Sequence, residues 1–102
     1  METHWFNNIN EIKEAARDGV SPYWFSESAM KFFHCRIFPR VYAGRYFITS
    51  ERDDYAQEPI TMYSVREAKY TGAIITVGDF CGYRTLSQAK EAIKKLTGDS
   101  NE

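Results

Sequence analysis

Residues 60–80, ITMYSVREAKYTGAIITVGDF, constrain the fold more than any other part of the chain. Two runs rich in β-branched and aromatic residues flank KYTG, a tight-turn sequence, so the segment reads as an antiparallel hairpin. Strand side chains alternate between faces, which places Tyr63, Val65, Ile75 and Val77 together on one side. Gly78 is a candidate bulge in the second strand. Directly after the hairpin, TLSQAKEAIKKLTG (85–98) reads as an amphipathic helix. Thr85 and Gln88 form a capping box, Lys94 and Lys95 favour the last turn, and Gly98 ends it. Leu86, Ala89, Ile93 and Leu96 make a single apolar stripe. A sheet with one apolar face and a helix with one apolar stripe each need a cover, and each can cover the other.

The chain before the hairpin extends this plan. NINEIKEAARDG reads as a helix capped by Asn8, with Glu11 as the reciprocal partner, Ile9, Ile12 and Ala16 on one face, and Gly19 as the stop. Ser21–Pro22 then signals a turn or helix start, and Ser26 caps a short helix running through Phe33. CRIFPRVY (35–42) alternates like a strand, with Pro39 marking a sheet edge, and Gly44 marks a turn or bulge before RYFITS. ERDDYAQEP (51–59) is expected to be the longest exposed loop. The expected fold class is α+β, with one domain over 1–102. It comprises an N-terminal helix within 1–20, an antiparallel sheet of three to four strands within 34–80, a C-terminal helix over 85–98 packed on one face, and a disordered tail at 99–102. The second face of the sheet is then the natural place for function.

At 102 residues, with 43% hydrophobic and 16% aromatic content, the chain has the composition of one folded domain. It has no apolar run of the roughly 18–20 residues that span a bilayer, and METHWFNNINEIKEAARDG does not read as a secretory leader. A cytoplasmic protein without membrane association is expected. Cys35 and Cys81 lack CxxC spacing and make no recognisable ligand set with His4 and His34, so reduced thiols and no metal or other cofactor are expected. His34 and Cys35 are strand neighbours whose side chains diverge. The sequence contains no GxSxG, Walker loop, HExxH or GxGxxG motif, and Asp53–Asp54 reads as a solvated pair in a polar loop. A non-enzyme is expected.

Charge is unevenly distributed beneath a net value of −1. Residues 1–28 carry net −3, residues 29–50 carry +4 with no acid, residues 51–58 carry −3, and the remainder +1. Two readings follow. Either the acidic segments neutralise the basic one internally, or the arginines stand in a row on an open sheet face beside stacking rings. The pI near 6.1 favours the first, because nucleic-acid binders usually exceed 9. The residues that would form a binding face are Arg36, Arg40, Tyr42, Arg45, Tyr46, Arg66 and Lys69. Phe38 would then point outward, at a cost of roughly 1.5–3 kcal/mol unless a partner covers it.

Two resemblances rest on these segments. The order FFxxR, YxGxYFxTSE, YxVR, TVGxF across residues 24–92 resembles small uncharacterised proteins of phages and mobile elements. That resemblance implies a setting inside a host cell, where such proteins often bind a host macromolecule. The three strands followed by TVGDFCGYRTLSQAKEAI are similar in outline to the three-stranded DNA-binding domains of the AP2 and integrase arm-binding types, and the preceding helix to the double-stranded RNA-binding domain. The leading expectation is a non-enzymatic binding protein acting on a host protein or nucleoprotein. The alternative is a nucleic-acid-binding module using the sheet face. A monomer is expected, with Trp5, Phe6, Tyr23, Trp24 and Phe25 completing the core.

Overall fold

The computed structural model describes residues 5–19, 36–53, 60–78 and 82–98. In chain order the elements are helix α1 (Ile9–Asp18), strands β1 (Arg36–Ile37), β2 (Tyr46–Asp53), β3 (Ile60–Ala68) and β4 (Ile74–Val77), and helix α2 (Leu86–Thr97). The strands form one antiparallel sheet in the order β1-β2-β3-β4. The α+β class and the antiparallel sheet therefore stand as read, with four strands rather than three. Among the described residues the first strand is shorter than expected: its ladder with β2 covers Arg36 and Ile37, the Phe38 N–H still donates to Ile48 O, and Pro39 comes next. Proline has no N–H for a ladder bond, which is consistent with pairing that stops there. β2 is longer than expected, because Glu51 to Asp53 continue its ladder with Met62 to Ile60 instead of opening a loop.

Both helices begin as their caps dictate. The Glu11 N–H donates to Asn8 Oδ1 at 3.0 Å, and the Gln88 N–H donates to Thr85 Oγ1 at 3.2 Å. In each case the reciprocal bond reaches one residue further back: the Asn7 N–H donates to Glu11 Oε1, and the Arg84 N–H to Gln88 Oε1. Gly98 closes α2 in the left-handed region, with its N–H donating to Lys94 O.

Register divides the sheet into two faces. Tyr46, Ile48 and Val65 point to α2 and pack with Ala89 and Ile93, while Phe47 and Ala68 point the other way and pack with Phe6 and Ile12. Phe47 and Ile48 are neighbours on β2, so α1 and α2 lie on opposite faces. The face expected to stand open is thus covered at one end by α1. The close contact there depends on Gly72, in the β3–β4 turn. Its φ is +87°, and a Cβ at this position would lie 2.1 Å from the Ala15 carbonyl oxygen. The turn itself is the expected KYTG, closed by Gly72 N–H donating to Lys69 O.

Of the eight residues expected to form the hairpin–helix core, Val65, Ala89 and Ile93 are fully buried, and Tyr63, Val77 and Leu86 pack partly against them. Ile75 and Leu96 do not join, remaining 42% and 45% exposed. The reason is placement: α2 lies chiefly over β2 and β3 and meets the outer strand β4 at Val77, leaving Ile75 beyond its cover. Phe6 is buried and Trp5 half-buried, as expected of core residues, whereas Tyr23, Trp24 and Phe25 fall outside the described residues, as do Cys35, Cys81, His34 and the tail.

Candidate binding surface

The seven expected site residues separate into three groups. Arg66 is the first. It sits on β3, is 8% exposed, and its guanidinium reaches across three strands on the α1 face. Nε donates to Thr49 Oγ1 at 3.0 Å, Nη2 donates to Glu51 Oε1 at 2.7 Å, and Nη1 donates to Thr76 Oγ1. A planar guanidinium with its donors in a fixed fork suits such a ladder. Arg66 is therefore a structural crosslink between β2, β3 and β4, and its charge is met by Glu51.

Arg45, Tyr46 and Lys69 form the second group, at the α1-turn end of the sheet. Glu67, itself 8% exposed, places Oε2 3.4 Å from Arg45 Nε and Oε1 3.0 Å from Lys69 Nζ. Arg45 Nε is buried within ion-pair range of Glu67 yet makes no hydrogen bond. Its guanidinium is held instead by two rings, with Cζ 5.7 Å from the Trp5 centroid and 5.0 Å from that of Tyr46. The preceding turn supports this: Gly44 O accepts from both the Trp5 and Phe6 N–H groups, and Tyr46 is buried. One carboxylate here faces two cations.

Arg36, Arg40 and Tyr42 make up the third group, at the outer edge of β1. Both arginines are exposed, and each lies over a ring: Arg36 Cζ is 5.4 Å from the Phe38 centroid and Arg40 Cζ 4.7 Å from that of Tyr42. Phe38 is half-buried, packs on the Tyr46–Ile48–Ile93 cluster and lies 6.0 Å from the Tyr63 ring. It does not point outward as a binding face would have required. Among the described side chains no carboxylate comes within ion-pair distance of Arg36 or Arg40. The row of arginines that the second reading of the charge pattern required is thus broken: Arg66 lies on one face, Arg36 on the other, and Arg45 is enclosed.

Sequence reasoning missed Thr49, Glu51, Thr76 and Glu67, the residues that meet these charges. A signal existed for two of them. Thr49 and Glu51 are two apart in ITSERD and so share a face, but this is visible only if β2 continues through Glu51. Glu67 needed the exact pairing, since its partner across the ladder is Tyr46, next to Arg45.

No helix among the described residues is long and apolar enough to cross a membrane. A family of unknown function (DUF7447) matches residues 8–94, and the chain belongs to that family. No curated protein matches the chain. No solved structure matches it either.

Proposed function

We propose that this chain is a non-enzymatic binding protein that engages an acidic surface of a host protein or nucleoprotein, in a phage or mobile-element setting, through Arg36 and Arg40. The supporting observation is the division of the basic residues. Arg45, Lys69 and Arg66 face Glu67 and Glu51, while Arg36 and Arg40 stand exposed on the rings of Phe38 and Tyr42. A guanidinium resting on a ring keeps its N–H edges available for a carboxylate or phosphate. Binding of nucleic acid through the sheet face would need Arg45 and Arg66 free, and both already have acidic neighbours. Two arginines at one edge suit a local acidic patch better than a continuous phosphate backbone.

The test compares capture of partners from a host extract by the wild-type chain and by an Arg36→Glu/Arg40→Glu variant. Loss of a captured protein, with an unchanged melting temperature, is the expected result. Equal capture by both forms rejects the site. Tight binding of both forms to generic duplex DNA, weakening steeply with salt in a gel shift, replaces the reading with nucleic-acid binding.

A further inference from the structure

The two edges of the sheet differ in how they meet solvent. β1 is two residues long and is accompanied by exposed Arg36, Pro39 and Arg40, the short, charged and proline-bearing pattern that blocks pairing with further strands. β4, the other outermost strand, has no such protection. Ala73 to Gly78 contains neither charge nor proline, and Ile74, Ile75, Thr76 and Val77 are all β-branched.

The ladder shows which backbone groups β4 presents. Lys69 N–H donates to Ala73 O, and Tyr63 and Tyr83 exchange both of their bonds, so Tyr63, Val65, Glu67 and Lys69 direct their backbone groups towards β4. Alternation then turns those of Ile74 and Thr76 away from β3, towards the outer edge. Among the described residues no strand pairs with that edge. Beside it, Val77 and Tyr83 on the sheet side and Ala92 and Leu96 on α2 line a trough of about 840 Å³. Leu96 lines the trough and Ile75 stands on β4 two residues before Val77; they are two of the four large hydrophobic residues exposed among those described.

We propose that β4 pairs antiparallel with β4 of a second copy of this chain, joining two four-stranded sheets and burying Ile75 and Leu96 of both copies. A second copy fits because the contact is self-complementary. Antiparallel pairing of one segment with itself about a two-fold axis sets outward N–H groups against outward C=O groups. An axis perpendicular to the sheet keeps both α2 helices on one face, so the two troughs open towards each other. The strand carries no charge, and the net charge of −1 leaves little repulsion between copies. The trough margin carries Glu91 and Lys95, one of each sign, so a two-fold partner offers the complementary pair. Four strand residues and one helix margin place the contact at the small end of interfaces, among weak and transient associations. The monomer expected from the sequence is then the dilute form. This edge is separate from Arg36 and Arg40, so either proposal can fail alone.

Sedimentation of the full chain over a concentration series, together with amide hydrogen exchange, tests the proposal. The mass should rise with concentration from 11.9 kDa towards twice that value, and the Ile74 and Thr76 amides should gain protection in parallel. Ile75→Lys and Leu96→Glu, both at exposed positions, should each hold the chain at monomer mass while leaving its melting temperature near wild type. A monomer mass up to millimolar concentration overturns the proposal. So does a dimer that persists in both variants, or protection of those amides that does not depend on concentration.

Discussion

Arg66 and Glu51 meet at 2.7 Å although the register sets them opposite other residues, Arg66 facing Phe47 and Glu51 facing Met62. Their side chains run diagonally across β2 and β3 and are only 10% and 11% exposed. Removing one member takes this opposite charge from a largely buried group, at about 3–5 kcal/mol. Arg66→Met should therefore lower stability by that amount in denaturant unfolding, whereas Arg66→Met combined with Glu51→Leu should recover much of it. A double variant that is the sum of two large single losses rules out this coupling.

Gly72 and Gly98 both have positive φ, +87° and +72°, but their surroundings differ. A Cβ at Gly98 meets nothing within 4 Å, so Gly98→Ala bears only the left-handed backbone penalty of about 1–2 kcal/mol. A Cβ at Gly72 collides with the Ala15 backbone, and relief requires moving α1 off the β3–β4 turn. Gly72→Ala should cost more than Gly98→Ala and should expose Phe6 and Ile12, read as faster exchange of the α1 amides. Equal melting temperatures for the two variants contradict this account of how α1 docks.

The apolar stripe of α2 is not used uniformly. Ile93 is 1% exposed and packs on Ile48 and Val65, so Ile93→Ala should cost about 2–5 kcal/mol. Leu96 is 45% exposed on the same stripe, and Leu96→Ala in dilute solution should change stability by under about 0.5 kcal/mol. Thermal melts of the two variants decide it, and a large loss at Leu96 would mean that α2 reaches over β4.

These differences show what could be read from the sequence. The caps at Asn8 and Thr85, the KYTG turn and the stripe of α2 are local, because each depends on residues within one or two turns of each other. The placement of α2 chiefly over β2 and β3 is not local, and for that reason Ile75 and Leu96 stand outside the core that their spacing predicts. The charge map failed in the same way. Glu51 was counted with a loop when it belongs to β2, and Glu67 was one of several acids in the C-terminal half, with nothing to mark it as the neighbour of Arg45. Phe38 packs on the Ile48 cluster while Arg36 and Arg40 stay exposed without an acid among the described side chains, so the edge matches neither a full outward row nor an internally neutralised strand.

Glu67 provides the last prediction, because it faces two cations of unequal exposure. Arg45 is 28% exposed, enclosed by Trp5 and Tyr46, whereas the Lys69 side chain is 39% exposed and water can replace its contact. Glu67→Gln takes the only described carboxylate from Arg45, whose Nε already lacks a hydrogen bond, and should cost about 1–3 kcal/mol. Lys69→Met removes an exposed pair and should cost under about 1 kcal/mol. Salt separates the two further. At about 1 M NaCl the Debye length falls to about 3 Å, so the Lys69→Met difference should shrink towards zero. The Glu67→Gln difference should persist, since the Arg45 contact is shielded by rings rather than by water. Denaturant unfolding of both variants at low and high salt measures this, and a Glu67→Gln loss that vanishes with salt would show that Arg45 is held by its rings alone.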